Sequence, residues 1–88
     1  MPNPNQPDVT IATSVGRRRR RMSEISARQL ECLRWAKEGK SSPDIGCILG
    51  ISARTVEGHI ARVCELLGVR TRIQAILKAK DLGLFEAV

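Results

Sequence analysis

Residues Ser42 to Leu67, SPDIGCILGISARTVEGHIARVCELL, decide the reading of this 88-residue chain. The stretch has the layout of a short helix, a glycine turn and a longer helix. Ile45, Ile48 and Leu49 fall at i, i+3 and i+4 and form one apolar stripe. Gly50 follows, where a chain that turns sharply needs a residue tolerant of positive φ. Ser52 is placed to N-cap the second helix, with Ile51 and Val56 as a hydrophobic staple across the cap. Val56, Ile60, Val63 and Leu67 give that helix a buried back. Arg54, Thr55, Glu57, Gly58, Ala61, Arg62 and Glu65 are left on its front. A helix held by its back, with short polar and cationic residues in front, is shaped to enter a DNA major groove. The expected helix-turn-helix covers about residues 42–61, and its recognition helix about 53–67.

The flanks extend the same architecture. Ser26 with Gln29 spells a capping box and Ile25 with Leu30 a staple, so a first helix is expected from Ala27. Cys32, Leu33 and Ala36 continue its buried stripe, Trp35 lies at the edge, and Gly39 supplies the stop. Ser42 is expected to cap the second helix, with Pro43 at its first position and Asp44 near the positive end of the dipole. The third helix is expected to end at Gly68. Thr71 and Gln74 form another capping box, opening a fourth helix that runs to about Leu82. That helix has more apolar surface than one stripe requires: Ile73, Ile76 and Leu77 on one side, Ala75, Ala79 and Leu82 on another. One group can pack on the domain while the other meets a second copy, or Leu84 and Phe85 can fold back over it. No strand signal and no repeat is present. The expectation is an all-α, four-helix domain over residues 25–88.

Residues 1–24 read differently. MPNPNQPDVTIATSVG is polar and Pro/Asn-rich and is expected to be disordered. It runs into Arg17, Arg18, Arg19, Arg20 and Arg21, five adjacent like charges. They serve either as a solvated tail or as an arm that follows phosphates or enters a narrow minor groove. The formal net charge of +6 and pI near 10.1 suit a polyanionic partner. Trp35 and Phe85 are the only aromatic side chains, too few for a base-stacking platform. Cys32, Cys47 and Cys64 make an odd number without a C-x-x-C pair. They read as reduced thiols packed like small hydrophobes, in preference to a zinc site completed by His59. The single His has no nucleophile and orienting acid beside it, and there is no Gly-rich phosphate loop, so no enzymatic activity and no cofactor are expected. No transmembrane run is present, and the segment after the arginines is no signal core, which places the protein in the cytoplasm, with the nucleoid.

ISARQLECLRWAKEGKSSPDIGCILGISARTVEGHIARVCELLGVRTRIQAI resembles the C-terminal DNA-binding domain of LuxR-type regulators, also found in NarL/FixJ-type response regulators. Ile25, Ser26, Arg28, Cys32 and Leu33 match the opening of the family pattern. Glu38, Gly39, Ile45, Leu49, Ile51, Ser52, Thr55, Val56, His59, Val63, Leu67, Gly68 and Val69 match the remainder. The similarity covers about residues 25–84. It implies a tetrahelical bundle that binds DNA as a dimer through its fourth helix. Carried over, Arg54, Thr55, Glu57, Gly58, Ala61 and Arg62 occupy the groove-facing positions. Ser41, Ser42, Arg70 and Thr71 lie near phosphates, with His59 either beside them or packed on the first helix. Ile73, Ile76, Leu77 and Lys80 are the implied dimer contact. The chain departs from the pattern at Glu65 and Leu66, where the family carries cations, and at Gly58, mid-helix and without a base-reading side chain. Gln29 and Gly46 replace the family's Glu and Ala, which read as milder changes.

The functional expectation is a small bacterial transcription regulator that binds double-stranded DNA as a homodimer. Residues 1–24 can hold neither an acyl-homoserine-lactone domain nor a receiver, and Met1 favours a stand-alone protein over a fragment. The alternative is a protein-interaction module that heterodimerises with a full-length LuxR-type regulator and inhibits it, a reading that Gly58, Glu65 and Leu66 favour. A LuxR-type regulator or RNA polymerase are the protein partners these readings leave open.

Overall fold

Each helix begins at a side chain able to satisfy the unpaired N–H groups of a first turn. The computed structural model describes residues 23–86, in which α1 is Ala27–Lys37, α2 Ser42–Leu49, α3 Ala53–Leu67 and α4 Arg72–Asp81, followed by a 3-10 turn, Leu84–Glu86. Among the described residues there is no strand. The expectations for residues 1–22, including Arg17, Arg18, Arg19, Arg20 and Arg21, lie outside the described residues. Ser23 and Glu24, grouped with the arm in the sequence, belong to the described part.

Both predicted capping boxes form. Ser26 accepts from the Gln29 N–H at 3.1 Å while the Gln29 side chain accepts from the Ser26 N–H at 2.9 Å. Thr71 and Gln74 repeat the exchange at the start of α4, both at 3.1 Å. The cap of α2 is a correction. Ser41, with extended φ and ψ, accepts from the Asp44 N–H, and Ser42 is already the first helical residue. Either serine has the chemistry to cap. Ser42 is only 5% exposed, and its hydroxyl finds partners across the domain, which leaves the cap to its exposed neighbour.

α3 is the central element and packs against α1, α2 and α4, whereas α2 and α4 do not pack on one another. Its Val56, Ile60, Val63, Cys64 and Leu67 meet Cys32, Leu33 and Ala36 of α1, Ile45 of α2, and Ala75 and Ala79 of α4 in one core. The junction of α2 and α3 is close. Gly50 adopts φ 73°, and the Gly46 carbonyl accepts the N–H groups of both Gly50 and Ile51. Gly46 is itself buried, and a Cβ there would sit 2.5 Å from the Ile51 carbonyl oxygen and 3.3 Å from the Ala53 nitrogen. The exchange of Ala for Gly at this position is therefore not a mild one in this chain. It lets α2 approach the turn at a distance that a methyl group would force apart.

Three apolar positions depart from the sequence pattern. Ile48 is 45% exposed, so the α2 stripe narrows to Ile45 and Leu49. Leu66 is buried at 4%. On α4, Ala75 and Ala79 take the core, whereas Leu82, grouped with them in the sequence, is 43% exposed. Leu84 and Phe85 do fold back onto the core. The Arg34 guanidinium donates to the Phe85 carbonyl at 3.1 Å, and Lys37 Nζ lies 5.4 Å from the centre of the Phe85 ring, a cation–π contact.

All three thiols are free, but they are not alike. Cys32 and Cys64 are buried, and Cys47, expected to pack like them, is exposed on α2. Burial raises the pKa of the Cys32 and Cys64 thiols by desolvating the thiolate, partly opposed by Arg28 and Arg72 respectively. In native protein near pH 8, a maleimide reagent should therefore label Cys47 rapidly and the other two only on unfolding, as peptide mapping would show. Because the unfolded chain gives up these two protons more readily, the stability they contribute is complete at neutral pH. It should fall as pH rises past about 9 toward their folded values.

Candidate nucleic-acid interface

α3 turns its apolar residues inward with a period of three to four, so the residues between them must face water. Arg54, Thr55, Glu57, Gly58, Ala61, Arg62 and Glu65 are all exposed along this outward face. The N-terminal end is fixed by Ser52, which accepts from the Thr55 N–H at 3.0 Å and shares a hydrogen bond with the Thr55 hydroxyl at 2.9 Å. Thr55 therefore helps close the turn, while Arg54 beside it pairs with no carboxylate among the described residues.

The other charges on this face are held by partners. The Glu57 carboxylate accepts from the Ser42 hydroxyl and pairs with Arg72 Nη2 at 3.4 Å, and the same guanidinium donates to Ser42 Oγ at 2.9 Å. One residue near the start of each of α2, α3 and α4 thus meets in a single polar cluster. Arg62 is paired twice, with Glu65 at 2.7 Å and with Glu24 at 3.5 Å. Beside it lies a shallow groove of about 580 Å³, lined by Gly58, Ala61, Arg62, Cys64, Glu65, Val69 and Arg70. Gly58 lends this groove no side chain, and Arg62 and Arg70 supply its cations.

The residues expected near phosphates divide. Ser41, Arg70 and Thr71 are exposed, at the start of α2 and in the turn before α4. Ser42 differs from them: it is buried, with its hydroxyl hydrogen-bonded to Glu57 and Arg72. His59 is half-buried on α3. On α4, Ile73 and Leu77 stand 68% and 57% exposed, Lys80 is exposed and Ile76 is half-buried against the core. Among the described residues no group of His, Cys, Asp and Glu is placed to hold a metal ion, and no helix is long and apolar enough to cross a membrane. Sequence reasoning missed the parts played by Glu24 and Arg72. Both act on residues far along the chain, and no local pattern signals such a pairing.

The profile of the family described as "Bacterial regulatory proteins, luxR family" matches residues 23–79. The chain is similar to the transcriptional activator protein AhyR of Aeromonas hydrophila, 47% identical over 60 residues, which are 68% of this chain and 23% of that protein. It is similar to the transcriptional activator protein LuxR of Aliivibrio fischeri, 47% identical over 64 residues, 73% of this chain and 26% of that one. A third relative is the putative HTH-type transcriptional regulator y4qH of Sinorhizobium fredii, 47% identical over 62 residues, 70% of this chain and 19% of that protein. The chain thus spans about a quarter or less of the length of these curated relatives. No solved structure matches.

Gly58 costs the helix stability without filling space, since a Cβ there would meet nothing within 4 Å. Gly58→Ala is expected to stabilise the domain by about 1 kcal/mol. For a domain of this size that raises Tm by roughly 4–8 °C, measured by circular dichroism.

Proposed function

This chain belongs to the luxR family of bacterial regulatory proteins, and we propose that it regulates transcription by binding duplex DNA as a homodimer, one α3 in each of two major-groove half-sites. The observation that carries this reading is the division of α3 itself: an apolar back locked into the core at Val56, Ile60 and Val63, and a continuous exposed front. The front has the width and polarity that the major groove admits. Arg54 and Arg62 are its candidates for guanine edges, since a guanidinium fork matches O6 and N7. Ser41, Arg70 and Thr71 are exposed and are candidates for phosphate contact, as is His59, half-buried on α3.

Dimerisation is proposed through α4. The fold leaves Ile73 and Leu77 in water one turn apart, with Lys80 continuing the strip and Ile76 at its edge. A strip of this kind is self-complementary about a twofold axis and can meet its own copy. Two α3 helices so related would read half-sites about one helical turn apart. The arm has a place in the same reading. Arg21 is three residues before Glu24, whose carboxylate rests on Arg62, so the chain joins the domain beside the outward face of α3. Two of the three relatives named above are called transcriptional activators, and activation from a promoter-adjacent site is the role proposed here.

Selection of duplexes from a random pool at near-physiological salt, with competitor DNA in excess, tests the proposal. A recovered two-half-site palindrome is the expected result; no consensus would overturn sequence-specific binding. Removing residues 1–21 is expected to weaken binding to every duplex alike and to reduce the salt slope by several units, about 0.9 for each phosphate that the arm neutralises. An unchanged slope would show that the arginines do not touch DNA.

A further inference from the structure

A recognition-helix arginine reads DNA with the hydrogen-bond donors of its guanidinium, and in this fold each terminal nitrogen of Arg62 already has a carboxylate partner. Glu65, one turn further along α3, accepts from Arg62 Nη1 at 2.7 Å, and Glu24 reaches Nη2 of the same guanidinium at 3.5 Å. Both terminal nitrogens of the fork face carboxylates on the side of α3 that must meet the duplex. An ion pair three residues apart on a helix surface is by itself ordinary and weak. Two features set this one apart. A second carboxylate, Glu24, reaches the same cation from 38 residues away, and that cation lines the groove of the outward face.

We propose that Glu65, supported by Glu24, is an affinity-limiting residue that acts through Arg62. DNA must compete with the carboxylates for the terminal nitrogens of Arg62, and Glu65 stays beside the polyanion once it is bound. The inference rests on the DNA-binding reading above. Its effect is a weakened single half-site, and that weakening enters twice when two subunits bind one duplex. Occupancy therefore comes to depend on both subunits engaging together. In a chain with net charge +6, such a restraint offsets the attraction that any duplex would exert on the domain.

The test is a double-mutant cycle on binding to a labelled random-sequence duplex of about 20 base pairs, at salt from about 50 to about 200 mM. The four chains are the unsubstituted protein, Glu65→Gln, Arg62→Ala and the double variant. Both positions face solvent, and matching thermal melts check that all four fold. Glu65→Gln is expected to tighten binding roughly threefold to fivefold and to steepen the salt slope by about one unit. In the Arg62→Ala background that gain should fall below half. A gain of equal size in both backgrounds would overturn the proposal, because Glu65 would then act on phosphates alone. No gain in either would overturn it as well. Absence of binding by all four chains at the lowest salt would overturn the DNA-binding reading and this one with it, an outcome distinct from the other two.

Discussion

The approach of Gly46 to the carbonyl of Ile51 is the constraint on which the rest of the domain depends. A missing side chain lets the end of α2 rest on the backbone that leads into α3, with the Gly46 carbonyl accepting two N–H groups of the turn. Once that distance is set, the direction of α3 follows, and with it which residues lie inside. With the helix leaving the turn as it does, Val56 and Ile60 lie in the core, and Arg54, Gly58 and Ala61 face outward. In a domain this small the core has little stability in reserve. A shift at the turn would be felt on the exposed face without any change in the residues that form it.

That face is less cationic in space than in sequence. Arg72 and Arg62 each commit a guanidinium to carboxylates, Glu57 in the first case and Glu65 with Glu24 in the second. Partly exposed pairs of this kind add little stability, typically under about 1 kcal/mol. Their greater effect is on the field that an approaching polyanion meets, where each paired cation is largely cancelled. Arg54 and Arg70 keep their side chains out of ion pairs among the described residues. The Glu57 cluster differs from the Arg62 cluster in its reach. It joins the starts of α2, α3 and α4, so two helices that do not pack on one another are linked at the helix that carries the outward face.

What the sequence made legible was local. Gly50 and Gly68 adopt positive φ where the turns require it, and Ser26, Ser52 and Thr71 cap within three residues of themselves, so short windows suffice to find them. The outward face of α3 was legible for the same reason, because one helix has one period. The rest depends on what lies across the domain. Ser41 and Ser42 are interchangeable caps until burial decides between them. Ile48 and Leu66 have the same apolar character, yet one is exposed and the other buried. Glu24 and Arg62 are 38 residues apart, and only the packed helices bring them together. The outward residues of α3 were therefore readable, and the residues that hold a side chain far along the chain were not.

The two faces of α4 connect this packing to assembly. The helix puts its small residues, Ala75 and Ala79, into the core, which lets it lie close against α3 and leaves its larger residues, Ile73 and Leu77, outside. Fully burying a side chain of that size is worth about 1.5–3 kcal/mol. Two from each subunit, already partly covered in the free domain, yield on the order of 5 kcal/mol. Association of two free bodies costs roughly 4 to 15 kcal/mol in restricted motion. In the proposed dimer the strip is thus near balance alone, too little to hold two domains together firmly in solution. A duplex that engages both α3 helices confines the subunits and removes much of that cost. On the reading proposed here, pairing of α4 and binding by α3 are then each incomplete without the other, and the restraint on Arg62 strengthens that dependence.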